Sequence, residues 1–279
     1  MFNLIETNDD LFILNEELIK LPFIGVDTEF LRKGKSDIRL SLIQINNYRE
    51  TFIVDCLSIG DYKDNCSFLN SNNVTKIFHS SREDFEAIYN WSGLETKNIF
   101  DTQLANAFLG GNFSLSYQDL VKDILEVSIN KDETRSNWLK RPLRDSQLRY
   151  AASDVEYLIE IYNYQHNMLE QSQKLSWLKD EVEFKLQKVI SKEKIQETSL
   201  KKRNISKQEE KDLLSRFNEL VLLSSKKNQI NPTLFFSQKN QKEFLLEVLN
   251  TNTENALSQI SPWKKELISA ELCSLFSNI

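Results

Sequence analysis

The chain has 279 residues, 40% of them hydrophobic, with a formal net charge of −6 and a pI near 5.3. That length fits one large or two smaller domains, and the acidic balance excludes nucleic-acid binding through bulk charge, leaving only a local basic patch or bound cations for that purpose. Three scattered cysteines, Cys56, Cys66 and Cys273, exclude a disulfide scaffold and a structural zinc site. With no basic-then-apolar leader and no membrane-length apolar run, they lead to the expectation of a soluble cytoplasmic protein.

In chain order, Leu11, Leu14, Leu18 and Leu21 recur at helical spacing and predict a helix over Thr7–Leu21, capped by Asn8 or Asp9. Pro22 precedes an apolar run, Phe23–Phe30, that reads as a buried strand. Arg39–Ile45 and Thr51–Asp55 read as second and third strands of a meander, and Lys76–Ser80 as a fourth. Helices are expected at Arg82–Trp91, at Thr102–Leu109 before Gly110 and Gly111, and at Ser116–Leu125, with a short strand at Asn98–Asp101. Arg135–Leu143 is a basic loop carrying Trp138, after which Asp145 is expected to cap one long helix running to about Met168. A further helix covers Gln171–Ile190. A meander followed by alternating strands and helices predicts an α/β fold with a mixed sheet flanked by helices.

Apolar periodicity lapses over 191–211, which is rich in lysine, and resumes as helical faces through 212–279. The expected organisation is therefore a first domain at 1–190, a linker at 191–211 and a small all-α domain at 212–279.

The strand Phe23–Phe30 carries the chemistry. Side chains alternate faces along a strand, so Asp27 and Glu29 point the same way. Two like charges delivered to one place repel, and the pattern becomes sensible when a divalent cation sits between them. An isolated pair of this kind also reads as two solvated acids at a strand end. Asp84 begins the helix after the fourth strand. Asp154 lies one helical turn after Tyr150, among Ala151, Ala152 and Val155, where a carboxylate needs a partner or a metal. Asp101 ends the fifth strand and reads as a cap or a support for a neighbour.

In order and at suitable separations, the stretches V-D-T-E-F, S-L-I-Q-I, K-I-F-H-S-S-R-E-D-F-E, F-D-T-Q-L-A, R-S-N-W-L-K-R-P-L and L-R-Y-A-A-S-D-V-E-Y-L resemble the ribonuclease D family. That family belongs to the tyrosine subclass of the DEDD 3′-5′ exonucleases, and the resemblance covers roughly residues 3–190. It implies a ribonuclease H-like exonuclease fold, with Asp27, Glu29, Asp84 and Asp154 as the acids that hold two divalent metal ions, Mg²⁺ or Mn²⁺. It implies that Tyr150 orients the attacking water, and that Thr28 (through its backbone) and Phe30 touch the terminal nucleotide. A phenol with an ordinary pKa near 10 suits a positioner better than a general base. His79 reads either as a contact to the scissile phosphate or as a hydrogen-bonded strand-end histidine. Trp138 with Arg135, Lys140 and Arg141 reads either as a basic, aromatic wall or as a packed indole under a positive loop.

Ser261–Leu267 resembles the late tryptophan-and-basic turn of the helicase-and-RNase-D C-terminal (HRDC) module, a small helical domain. Family members typically carry two such modules, and the sequence has room for one. The implied function is a 3′-5′ exoribonuclease that releases 5′-mononucleotides from RNA 3′ ends, with transfer-RNA precursors as partners and a monomeric state. The alternatives are the same chemistry on DNA, or an inactive nucleic-acid-binding protein built on the same fold.

Overall fold

The computed structural model describes residues 2–34, 37–60, 64–129, 133, 136–191 and 203–277. By its internal contacts the chain divides into two compact units, Met1–Gln103 with Ser114–Asn167, and Leu104–Phe113 with Met168–Ile279.

The first unit is built on a six-stranded sheet. Its strands are β1 (Phe2–Ile5), β2 (Phe23–Arg32), β3 (Ile38–Asn46), β4 (Thr51–Asp55), β5 (Thr75–Phe78) and β6 (Ile99–Asp101), in the order β1-β4-β3-β2-β5-β6. The meander β2-β3-β4 is antiparallel, whereas β1 joins β4, β5 joins β2 and β6 joins β5 in parallel. The sheet is thus mixed, as the sequence predicts. Strand β1 has no counterpart in the sequence reading, because only Ile5 of its four residues is buried and it shows no alternation.

The helices are α1 (Asn8–Leu18), α2 (Ser67–Asn70), α3 (Arg82–Ser92), α4 (Thr102–Phe108), α5 (Tyr117–Leu125), α6 (Asp145–Ser153), α7 (Leu158–Gln171) and α8 (Leu175–Ser191). They continue as α9 (Lys207–Asn228), α10 (Pro232–Phe236), α11 (Gln238–Asn250), α12 (Thr253–Ser258) and α13 (Pro262–Leu275). The cap of α1 is Thr7, whose side chain accepts from the Asp10 N–H, in place of the expected Asn8 or Asp9.

Each face of the sheet has its own apolar cluster. Ile24, Val26, Ile43, Ile45 and Val54 pack with Leu11, Leu14 and Leu18 of α1 and with Ala87 and Ile88 of α3. Leu42 and Ile53 pack with Trp138 and with Ala151 of α6, against which Leu148 and Tyr150 lie. Burying these side chains stabilises the sheet by roughly 1.5–3 kcal/mol for each large aliphatic or aromatic group.

The single long helix expected after Asp145 is two helices. Residues 154–157 form a turn between α6 and α7. No glycine or proline causes this break. The Tyr157 N–H leaves the helical ladder and donates to the Tyr117 hydroxyl at 3.0 Å.

In the second unit Phe217, Phe236, Phe244 and Phe276 form one aromatic cluster, and Trp263 packs on Phe108, Trp177 and Phe235. Glu181 of α8 is buried there and accepts from Ser261 Oγ, Trp263 Nε1 and Lys264 Nζ. Helix α8, assigned from sequence to the first domain, groups with this unit. Most of the expected linker, 192–202, lies outside the described residues, and α9 already begins at Lys207 with a Ser206–Glu209 capping box. Among the described residues no helix is long and apolar enough to cross a membrane.

Candidate active site

Gly25, Asp27 and Glu29 fall on one face of β2 by alternation. The pairing of β2 with β3 shifts register between Glu29 and Phe30, leaving Ser41 as an extra residue on β3. Such a bulge bends the strand and re-aims side chains at a sheet end. The α6–α7 turn delivers Asp154 to this same place. One carboxylate oxygen from each of Asp27, Glu29 and Asp154 lies within 4.8 Å of the others.

Asp84 arrives from the other face, in the first turn of α3. Its Oδ1 accepts a hydrogen bond from the Thr28 hydroxyl. Thr28 points away from Asp27 and Glu29, so its side chain ties α3 to β2 and places the fourth acid. Phe30, on the same face as Thr28, is half-buried against the α1–α3 side of the core.

The electrostatics follow from burial and crowding. Desolvation, and then the charges of Asp84, Asp154 and Glu29, push the Asp27 carboxyl well above its ordinary value. Glu29 is pushed up to about 9 by burial and then by Asp154 and Asp84. Asp84 and Asp154 are each raised to about 7 by burial, opposed by hydrogen bonds from Thr28 and Tyr150 respectively. These four groups cannot all ionise near neutral pH without added positive charge. Among the described residues the buried Asp154 Oδ1 has no hydrogen-bond partner. An orphaned carboxylate oxygen in an all-oxygen acidic cluster fits a hard divalent cation such as Mg²⁺ or Mn²⁺.

Other sequence candidates sort clearly. His79 uses both ring nitrogens inside the fold, Nδ1 with Thr102 Oγ1 at 2.9 Å and Nε2 with the Leu115 carbonyl at 3.0 Å, and burial lowers its pKa. Asp101 accepts from the N–H groups of Ser80, Ser81 and Gln103. It thereby holds the turn that leads into α3, where Ser80 sits at φ +67°. Trp138 is buried, with its ring centroid 6.1 Å from that of Tyr150. It is packed, and does not form an exposed wall. Arg135 lies outside the described residues, and Lys140 is exposed. Two contributors escaped the sequence reading. Tyr117 sits at the α6–α7 break, where nothing local announces it. Gly25 could have been noticed as a glycine in a strand interior, a mark of close backbone approach.

Comparison with known proteins gives the family and the fold. The sequence model of a 3′-5′ exonuclease family matches residues 2–170. This chain belongs to that 3′-5′ exonuclease family. Within the curated members, it is 39% identical over 141 residues to ribonuclease D of Pseudomonas paraeruginosa, covering 50% of this chain and 38% of the relative. With ribonuclease D of Escherichia coli K12 it shares 35% over 160 residues, covering 57% and 43%. These alignments span less than half the length of either relative. In three dimensions the chain is similar to the crystal structure of E. coli RNase D, with a TM-score of 0.66, 24% identity and coverage of 99% of this chain and 74% of that one. Brucella melitensis NrnC gives a TM-score of 0.58 at 22% identity, covering 68% and 91%. At these identities the structural matches establish the fold, a mixed α/β exonuclease sheet flanked by helices.

Proposed function

We propose that this chain is a metal-dependent 3′-5′ exoribonuclease that releases 5′-mononucleotides from RNA 3′ ends. The observation that carries the proposal is the convergence of Asp27, Glu29 and Asp154 within 4.8 Å, with Asp84 tethered beside them by Thr28. The curated relatives named ribonuclease D, and an E. coli structure described as an exoribonuclease involved in structured RNA processing, support RNA as the substrate. By the same likeness, transfer-RNA precursors are the proposed partners, a monomer the proposed state and the cytoplasm the proposed compartment. We further propose the domain roles read from sequence, an exonuclease domain followed by one HRDC-like helical module.

In this reading Asp27, Glu29, Asp84 and Asp154 hold two divalent cations, Mg²⁺ or Mn²⁺; NrnC has been described with bound Mg²⁺. Bound there, such ions would lower the pKa of a water and offset the negative charge that develops on the leaving 3′ oxygen. The chain's own groups do the rest. Tyr150, hydrogen-bonded to Asp154, orients the water for in-line attack. The Thr28 side chain is committed to Asp84, so it is the Thr28 backbone, together with Phe30, that receives the terminal nucleotide.

The test is digestion of a 5′-labelled 3′-overhang RNA and the matching DNA with Mg²⁺, Mn²⁺ or EDTA, beside Asp27→Asn and Asp154→Asn. A metal-dependent ladder that shortens from the 3′ end, faster on RNA and abolished by both substitutions, is the expected result. Faster cleavage of DNA would replace the substrate. No cleavage by folded protein would leave a nucleic-acid-binding protein.

A further inference from the structure

Arg141 belongs in sequence to the basic stretch around Trp138, but its hydrogen bonds are spent inside the fold. A guanidinium has five N–H donors. Nε and Nη2 form a bidentate pair with Asp55 at 2.6 and 2.7 Å. Nη1 donates to the Trp138 carbonyl at 2.7 Å and the Lys140 carbonyl at 3.1 Å, and Nη2 also donates to Ser41 Oγ at 3.2 Å. Five donors meet five bonds, which leaves none for a phosphate.

The Asp55 side chain at the end of β4 is 3% exposed, so this ion pair is desolvated on the acid's side. The Trp138 carbonyl receives a second bond from Ser41 Oγ at 2.6 Å, and Ser41 is the extra residue of the β3 bulge opposite Glu29 and Phe30. The indole carried by that backbone lies against the Tyr150 ring, and Tyr150 bonds Asp154. A continuous set of contacts therefore runs from Asp55 through Arg141 and Trp138 to Tyr150.

We propose that the Asp55–Arg141 pair is a positioning element for Tyr150: it clamps the Trp138 backbone to the β3 bulge and so fixes the ring wall against which the phenol is aimed. The inference rests on the functional reading above for what Tyr150 does, and on the contacts alone for how it is held. A lysine at 141 would keep the charge but could not make the bidentate bond and hold the carbonyls together. A misplacement of the phenol of about 1 Å is enough to lower turnover by one to two orders of magnitude.

Two measurements test this, and each has a control for folding. In the first, 3-fluorotyrosine is incorporated and the Tyr150 ¹⁹F line is assigned by its loss in Tyr150→Phe. Arg141→Lys and Asp55→Asn are expected to shift or broaden that line while lines from tyrosines remote from the loop stay in place. An unmoved Tyr150 line in folded Arg141→Lys overturns the proposal whether or not the protein cleaves RNA. In the second, kcat and KM on the overhang RNA are measured for Arg141→Lys in the wild-type and Tyr150→Phe backgrounds. The expected result is a fall in kcat of about tenfold at unchanged KM in the first background and less than about twofold in the second. An equal fall in both backgrounds, or a rise in KM with kcat unchanged, would show that Arg141 acts elsewhere or touches substrate. Loss of all cleavage in wild type would remove the functional reading, while the ¹⁹F result would still decide the positioning.

Discussion

Gly25 and Leu158 meet where the α6–α7 turn crosses strand β2. A Cβ on Gly25 would lie 3.0 Å from the Leu158 Cβ and 3.4 Å from the Val155 carbonyl. Two residues along the same face of β2 is Asp27, and one residue before Val155 is Asp154. The absence of a side chain at position 25 lets the turn approach the strand closely enough for those two carboxylates to share one site. Gly25→Ala should therefore push the turn outward, costing about 1–3 kcal/mol of stability and lowering turnover by more than the stability loss explains. Gly60→Ala, with open space around its Cβ, is the matched control. Thermal unfolding and kcat measured on both variants check this; a Gly25→Ala protein as active as Gly60→Ala would contradict it.

Tyr117 sets the same turn from the other side. Its hydroxyl accepts the Tyr157 N–H, and the ring is buried. Tyr117→Phe keeps the ring and removes the acceptor, leaving that N–H unpaired at a cost of about 1–3 kcal/mol. The expected outcome is a lowered melting temperature together with a fall in kcat, because residues 154–157 are free to resume helical pairing and rotate Asp154. Amide hydrogen exchange at Tyr157, faster in the variant, is the direct readout. Unchanged exchange would mean that the bond does not hold the turn.

The acid cluster should make metal-free stability fall as pH rises. Glu29 goes from 4.5 to about 9, and Asp84 and Asp154 from 3.8 to about 7. Each carboxyl holds its proton to higher pH in the folded state than in the unfolded chain. The contribution is therefore complete below the unfolded values near 4 and is lost as pH climbs through 7 and then 9. In EDTA the melting temperature should drop across that window. Millimolar Mg²⁺ or Mn²⁺ should raise it most at the alkaline end, since ions that bind only the folded state stabilise it. Glu29→Gln should flatten the profile in EDTA. A profile that is flat in wild type would refute this account.

Glu181 behaves in the opposite sense. Burial alone would raise its pKa, but Lys264, Lys185 and the donors Ser261 and Trp263 outweigh burial and lower it. Its stabilisation is present above the ordinary carboxylate range near 4.5 and is lost as pH falls through the depressed folded value. Glu181→Ala would leave Lys264 buried without its acid, at about 3–5 kcal/mol. Hydrogen exchange across α8 and α13 should rise sharply in that variant while the β2–β3 ladder stays protected. Parallel loss of protection in both units would show that they unfold together.

Much of the site is legible in the sequence because it is local. Alternation along a buried strand puts Asp27 and Glu29 on one face, a four-residue interval sets Tyr150 one turn before Asp154, and an all-oxygen donor set selects a hard cation. The meander and the strand–helix alternation give a mixed α/β sheet for the same reason, since apolar periodicity reports which face each segment must bury. Tertiary structure decided the rest. The expected helix through 154–157 is broken by a tyrosine 40 residues away. Arg141 of the basic loop is paired inside the fold with an acid 86 residues away. Asp84 is aimed by a threonine on another element, and α8 joins the second unit. Local periodicity reports neighbours along the chain, whereas a hydroxyl, a guanidinium or a carboxylate finds its partner only after distant segments have packed.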